Sequence, residues 1–466
     1  MNNDKYYIKP HIYSVIRFIS RFAFLLIIPA FQIAVFKEIK TLQSILTLLG
    51  CAIIIIYAFI RRKSEFFLAD KDRILINRGV TIKSQKLIKN EKISTLNIKR
   101  GLIGGAIFGA AEVFLDVPST FRDVKTTFYM GAKKAYEIFC EKANVIYSSE
   151  FKKIFLSAIL WSNSITGFLT LIPLMNNADR LFGEALTSKI YNGISVTEYL
   201  IYAGISPAAA VVSNIIIICF FISLAIQINE YFGFKLSEDS NGLMYISRGL
   251  FKRNVFIFKP EAVNAICIRQ NMYMLPFNLC CSFIETVSSN KIKGDMSLLI
   301  PPEKAKVNYE IISQIFKGFN NVCSKKITPP RDAMAAYKYP VFAVAFLISA
   351  TAVVFSDAGV FGEIIYILLC FILILILLRA VFVIISFKRV SVKINNDYIS
   401  TLTIKNFYTE ENYIPHKKVQ KTEISQNIFQ RRLNRCNLKI YVFSEKKRCI
   451  CIKHLPCKEI TEILGF

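Results

Sequence analysis

Residues 73–102 read RILINRGVTIKSQKLIKNEKISTLNIKRGL, and this stretch decides the fold. In RILINRGV and KISTLNIK every second residue is apolar, the two-residue period of a strand with one face buried. Gly79 falls between two such patterns, where a turn with positive φ is needed. The same skeleton returns 170 positions later without a gap, as LMYISRGLFKRNVFIFKPEAVNAICIRQNM. Arg78-Gly79-Val80 becomes Arg248-Gly249-Leu250, Glu91-Lys92-Ile93 becomes Glu261-Ala262-Val263, and Ile98-Lys99 becomes Ile268-Arg269. A third, more divergent copy occupies residues 390–443, with Asn406 at the place of the turn glycine. One unit is written three times.

Each copy closes with a helix pattern. AKKAYEIFCEKA follows Gly131, PEKAKVNYEIISQIF follows Pro301 with proline in its first turn, and CKEITEIL follows Pro456. Tyr309, Ile312 and Phe316 recur at three- and four-residue spacing, one apolar stripe to lay on a sheet. Antiparallel strands with a terminal capping helix describe a small, strongly bent β-sandwich or barrel.

Apolar runs separate the copies. The chain has 466 residues, 53% of them hydrophobic, and a mean hydropathy of +0.42. Six runs stand out, at roughly 15–36, 42–60, 154–175, 199–226, 337–356 and 359–385. Each approaches the roughly 20 residues that a helix needs to cross a bilayer core. The charge is partitioned to match. Lys and Arg outnumber Asp and Glu by 19 to 10 in residues 61–153, 15 to 9 in 227–338 and 16 to 7 in 386–466. The connectors at 37–41, 176–199 and 356–363 together hold 4 basic and 6 acidic residues. Basic loops stay on the cytoplasmic side, so both termini and all three polar blocks are expected inside. Arg17, Arg21 and the immediately following span argue against a cleaved signal peptide. The twelve cysteines then sit in spans or in a reducing compartment, and no disulfide is expected.

The fold class read from these features is an α+β polytopic membrane protein. Six transmembrane helices form three hairpins, each followed by a cytoplasmic domain with a C-terminal helix. The boundaries expected are hairpins at 1–60, 151–226 and 331–385 and domains at 61–150, 227–330 and 386–466.

Three segments carry a family resemblance: RILINRGVTIKSQKLIKNEKISTLNIKRGL, MYISRGLFKRNVFIFKPEAVNAI, and IPHKKVQKTEISQNIFQRRLN with its Gln426-Asn427 and Phe429-Gln430-Arg431-Arg432. Together with the hairpin spacing and KPHIYSVI ahead of the first span, the chain resembles the bacterial pleckstrin-homology-like membrane proteins (the YdbT type, with three such domains). The resemblance implies a PH-like fold for each cytoplasmic domain, a plasma-membrane location and no established catalytic activity. It further implies a link to envelope stress or to resistance to membrane-active peptides such as bacteriocins, and a small single-domain companion. MYMLPFNLCC departs from the small-residue pattern GLIGGAIFG of the first copy, which bears on any shared ligand surface.

Candidate chemistry is sparse. Cys449, Cys451, His454 and Cys457 lie within nine residues, a set that suits zinc, but no glycine supplies the tight turn of a knuckle and RCICIKHLPC reads as a strand. The glycines of residues 101–109 lack the Lys-Ser/Thr ending of a P-loop and read as bends. His11, His416 and His454 have no motif partner for nucleophilic or acid–base catalysis. Asn163, Asn214, Gln227 and Arg379 are the few polar residues within spans, and no mid-span carboxylate marks an ion path. Pro29 and Pro173 occupy matching places in two hairpins, so repetition explains them; small residues at 203–213 suit close helix packing. Catalytic, cofactor and metal sites are therefore assigned to none.

The basic clusters are the candidate contacts. Arg61, Arg62 and Lys63, Lys152 and Lys153, and Lys388 and Arg389 abut span ends, where each faces anionic headgroups; Arg431, Arg432 and Arg435 suit phosphate or carboxylate. A net charge of +26 spread through strand-like text at span ends points to a membrane surface rather than nucleic acid. The reading expected is a non-enzymatic protein of the bacterial cytoplasmic membrane, an interaction platform whose partners are phospholipid and either a small PH-like companion or further copies of itself. A lipid or peptide transporter or extruder using the hairpin bundle is the alternative that the repeats leave open.

Overall fold

The computed structural model describes residues 6–22, 41–70, 73–117, 124–140, 143–161, 207–286, 297–316, 318–319, 325–355, 359–395, 397–442 and 448–464. Asn163, Pro29, Pro173 and the connector at 176–199 lie outside them, as does most of the first apolar run. The chain divides into two compact units. One comprises Met1–Ser148, Gly233–Ala262 and Thr286–Ser288; the other Ser149–Phe232, Val263–Glu285 and Ser289–Phe466.

The first unit holds two sheets. A four-stranded sheet has the order β1 (Tyr6–Ile8), β2 (Phe66–Ala69), β3 (Arg73–Arg78), β4 (Ser84–Lys89). Beside it in chain order come β5 (Thr95–Arg100), β6 (Ala110–Val117), β7 (Val124–Gly131), β8 (Ala143–Ser148), β9 (Lys235–Asp239), β10 (Met244–Arg248) and β11 (Arg253–Phe258). These seven form one sheet in the order β7-β6-β5-β11-β10-β9-β8. It joins a three-stranded meander from the first sequence copy to a four-stranded one from the second, edge to edge through β5 and β11.

The second unit repeats that device. The strands β12 (Val263–Asn271), β13 (Leu279–Thr286), β14 (Ser297–Lys304), β15 (Lys325–Ile327), β16 (Ser391–Ile394), β17 (Tyr398–Lys405) and β18 (Tyr408–Pro415) form a sheet ordered β14-β13-β12-β18-β17-β16-β15. The last sheet has β19 (Val419–Ser425), β20 (Arg435–Val442) and β21 (Arg448–Pro456). Every pairing with a recorded register is antiparallel.

The alternation read from sequence produces these strands. Ile74 and Ile76 of β3 point into the core, as do Cys436, Leu438, Ile440 and Val442 of β20, where the intervening Asn437, Lys439 and Tyr441 are less buried. Phe67, Phe128 and Phe139 pack together in the core of the first unit, with the Phe128 ring tilted and the Phe139 ring edge-on, their centroids 4.9 and 6.2 Å from Phe67. The turn glycines behave as expected: Gly79 and Gly249 have φ of +105° and +106°, and Asn406, the residue that tolerates positive φ best after glycine, has +39°.

Three strands were not foreseen. β1, β8 and β15 lie on the N-terminal side of the apolar segments, yet each pairs with the first strand on the far side: Tyr6 opposes Ala69, Ala143 opposes Asp239, and Lys325 opposes Ile394.

The helices, in chain order, are α1 (Tyr13–Ser20), α2 (Thr41–Ser64), α3 (Ala132–Phe139), α4 (Phe151–Trp161), α5 (Pro207–Tyr231), α6 (Ala305–Ile315), α7 (Met334–Phe355), α8 (Gly359–Phe387), α9 (Ile428–Arg432) and α10 (Cys457–Leu464). Among the described residues, three stretches are long and apolar enough to cross a membrane: Asn214–Tyr231, Arg331–Phe355 and Leu368–Phe387. Phe346, Val353, Val354 and Ile385 project outward from α7 and α8, a surface that water would disfavour. The terminal helices α3, α6 and α10 follow their strands as expected. The start of α6 is corrected: Pro301 and Pro302 belong to β14, an edge strand whose outer side needs no N–H, and the helix begins at Ala305.

Charge is buried at the β12–β18 seam. Glu410 is fully buried and accepts from Arg269 Nε at 3.1 Å and Lys405 Nζ at 2.7 Å. Its neighbour Glu411 accepts from Tyr309 at 2.7 Å and Tyr413 at 3.0 Å. The Glu410→Leu substitution strands Arg269 in the interior, and a loss of about 3–5 kcal/mol is expected in a denaturant titration of the full chain in detergent. A Cβ on Gly79 would fall 1.9 Å from the Ile82 carbonyl oxygen, so Gly79→Ala is expected to destabilise by about 1–3 kcal/mol, read as a lower thermal midpoint.

Candidate functional site: an arginine cavity at the root of the first helix pair

The root of α1 and the C-terminal end of α2 meet the strands of the first unit around a small cavity of ≈ 170 Å³. Arg17 and Arg21 line it from the first apolar segment, Arg61 and Arg62 from the last turn of α2, and Arg78 from the end of β3; Glu65 is the one carboxylate among its lining residues. Arginines at a helix C-terminus complement its partial negative charge, which is why α2 tolerates Arg61-Arg62-Lys63 there.

The arginines are positioned individually. Arg61 Nε donates to Glu65 at 2.8 Å, one helical turn away, and its guanidinium lies 5.0 Å over the Phe18 ring. Arg62 Nε donates to the Pro10 carbonyl at 3.0 Å, pinning the segment that leads into α1. Burial pushes the Arg78 guanidinium down, which Glu65 offsets and Arg61 reinforces. Tyr129 on β7 closes one wall; burial first, and then its bond to Glu112 at 2.9 Å, raise the phenol to about 12. Burial and the charge of Arg62 hold His11 below its usual 6.5, and its Nδ1 accepts the Tyr13 N–H at 3.2 Å. Five guanidinium groups against one carboxylate make a site for a phosphate or another oxyanion, which arginine grips through two parallel N–H donors.

The loops touching this root carry exposed apolar side chains. Ser64 Oγ, at the end of α2, donates to the Gly79 carbonyl at 3.0 Å, and Ile82 in that turn is 84% exposed. The glycines of residues 101–109 form a π-helical turn, Leu102–Ile107, whose Gly104 leaves no room for a Cβ beside the Tyr13 ring. That turn presents Ile107 and Phe108 outward. The equivalent turns of the later copies present Leu250 and Phe251, Tyr273 and Phe277, Phe407, and Ile428 with Phe429.

The other basic residues singled out from sequence scatter. Lys63 is exposed on α2 and does not line the cavity. Lys152 is exposed at the start of α4, whereas Lys153 pairs with the buried Glu303 of β14 at 2.7 Å and fixes that helix root to its sheet. Lys388 is exposed after α8, while Arg389 donates to Gln270 at 2.8 Å. Arg431 and Arg432 are exposed on α9, which Asn427 and Gln430 begin with a reciprocal capping box. Arg435 is 5% exposed and its guanidinium is committed to Asp332. Arg17, Arg21 and Arg78 were missed as site residues: two were read only as evidence about a signal peptide, and the third as part of a strand repeat.

The cysteine–histidine group is spread along β21. Cys449 is exposed, Cys451 half-buried, and Cys457 opens α10. His454 takes a φ of +59°, sits 3.3 Å from Gln430 Nε2, and is held below its ordinary value by burial, Arg435 and Lys453. Among the described residues no group of three or more His, Cys, Asp or Glu is arranged to hold a metal ion.

The family description Bacterial PH domain matches residues 23–140 and 343–464, just over half of the chain. The chain belongs to the bacterial PH domain family. No curated protein and no solved structure matches it. In this bacterial PH domain protein the first match begins inside the first apolar run and ends just after α3; the second begins within α7 and ends with α10. The family description thus takes in apolar helix together with strands, the same junction at which the arginine cavity lies.

Burial is the larger cause that depresses His11 and would persist, but an anion seated beside Arg62 would offset the second, the charge of Arg62, so the His11 titration should move upward when phosphatidylglycerol is added. Histidine-labelled protein, with only three such residues, makes this readable by NMR; a curve unmoved by that lipid, with the cavity intact, would count against the site.

Proposed function

We propose that this chain is a non-enzymatic, multi-pass protein of the bacterial cytoplasmic membrane. Six crossings in three hairpins hold three cytosolic PH-like domains against the inner leaflet, with both termini inside. The domains form a platform for lipid and protein contacts, and the arginine cavity is its headgroup site. One observation carries this reading: Arg17, Arg21, Arg61, Arg62 and Arg78 converge where apolar helices meet a sheet. That junction is the level at which lipid phosphates lie, and basic residues there contribute roughly 1 kcal/mol each toward an anionic surface. Exposed Ile82, Ile107 and Phe108 beside the helix root support it, since such side chains gain by entering the interfacial layer.

On this reading the partners are phospholipid and either a small single-domain PH-like membrane protein or further copies of the chain. We further propose, from the family resemblance, that the platform serves the response to envelope stress or to membrane-active peptides. A deletion strain challenged with such peptides should then show altered survival, and unchanged survival across the panel would remove that role.

Two measurements test the core of the proposal. Retention of phosphatidylglycerol through detergent exchange, followed by native mass spectrometry, should weaken about fivefold for each of Arg62→Gln and Arg78→Gln. Equal retention in wild type and double variant would dismiss the headgroup site. Exposed Cys449 should react with an impermeant maleimide only after spheroplasts are opened; labelling of intact ones would overturn the orientation.

A further inference from the structure

The two edge-to-edge junctions between sequence copies have the same register. A short 3-10 turn marks the corner in each copy, at Asn90–Lys92, Pro260–Ala262 and His416–Lys418. In the first junction Ile257, three positions ahead of the second turn, faces Leu96, six positions past the start of the first turn. In the second junction Tyr413 and Ile266 stand in the same relation to the third and second turns. The strand before one turn therefore always takes the strand after the preceding turn.

Two strands of this kind are left over. β4 precedes the first turn and β19 follows the last, and each is the outer strand of its sheet. Leu87 of β4 is 58% exposed, whereas Ile257, its equivalent in the paired strand β11, is 6% exposed. Continuing the register sets Leu87 opposite Thr422 and Lys86 opposite Glu423, whose carboxylate already accepts from Lys439 at 2.9 Å and Lys421 at 3.3 Å, so Lys86 would extend an existing ladder of opposite charge. Edge lysines normally discourage pairing with arbitrary strands; in this register Lys86 meets a carboxylate, whereas Lys89 falls opposite Gln420.

We propose that β4 of one copy of this chain receives β19 of a second copy, head to tail, in the register already used twice within the chain. The occupant is a second copy because the pairing rule, the exposed leucine and the charge match all specify a strand with the sequence of β19. The contact is heterologous, so it propagates until it closes or its ends are capped. It does not depend on headgroup binding at the arginine cavity.

The test uses full-length chains with two different tags, co-expressed and kept in native membranes. One carries Leu87→Cys, the other Thr422→Cys, and a short bis-maleimide is added; each single variant alone measures the background from native thiols. A product joining the two tags is expected. The shifted pair Ser84→Cys with Thr422→Cys, about 10 Å out of register, should give little. Lys86→Glu, which sets like charges opposite each other and leaves the bonds of Glu423 to Lys439 and Lys421 in place, should lower the yield about threefold. A product with a different protein alone, no product above background, or a yield that Lys86→Glu leaves unchanged would each overturn the proposal.

Discussion

A short strand ahead of each apolar segment pairs with the first strand behind it, so both ends of the segment are tied to one sheet. β1 with β2, β8 with β9, and β15 with β16 make this closure three times. Backbone hydrogen bonds, which a membrane-proximal chain must satisfy internally or with solvent, do the tying. The helix roots are then not free to swing away from the strands. Tyr13 packs on Tyr129, Lys153 pairs with Glu303, and Tyr337 donates to the Lys453 carbonyl at 2.9 Å. In every copy the root rests on the last strand before the terminal helix, or on the loop that leads to it.

The arginine cavity follows from that closure. Arg17, Arg61 and Arg78 are far apart in sequence and come from a helix entering the apolar segment, a helix leaving it and a strand beyond. Only when β1 is held beside β2 do the two helix roots converge on the end of β3. Like charges gathered in this way repel, and Glu65 with the Phe18 ring relieves part of that repulsion. The remainder is what an anion would neutralise.

Edge pairing between copies is the second organising device. An unpaired strand edge is a liability, and a repeat protein can remove it by giving each edge to its neighbour. At the β12–β18 seam the exchange is reinforced by Arg269 and the buried Glu410, whose desolvation is offset by a second cation, Lys405, on its other oxygen. The pairing joins strands of successive copies into one sheet, so the compact units do not follow the sequence repeat: the division runs through the second copy, between Ala262 and Val263.

Period and punctuation in the amino-acid sequence determined the strands of each copy, the φ-positive turns at Gly79 and Gly249, the closing helices and the apolar stretches, because these depend on neighbours a few residues apart. Asn406 at the glycine position belongs to the same class. The sequence by itself also determined that arginine and lysine gather at span ends. It could not say which of them share a site: Arg435 pairs with Asp332, Arg389 bonds Gln270, and Arg17 joins Arg78, since those outcomes depend on pairings across dozens of residues. Strands as short as Tyr6–Ile8 and Lys325–Ile327 carry too few residues to display a period. Tertiary structure alone decided that they exist, because a three-residue strand is stable only when a partner already waits beside it.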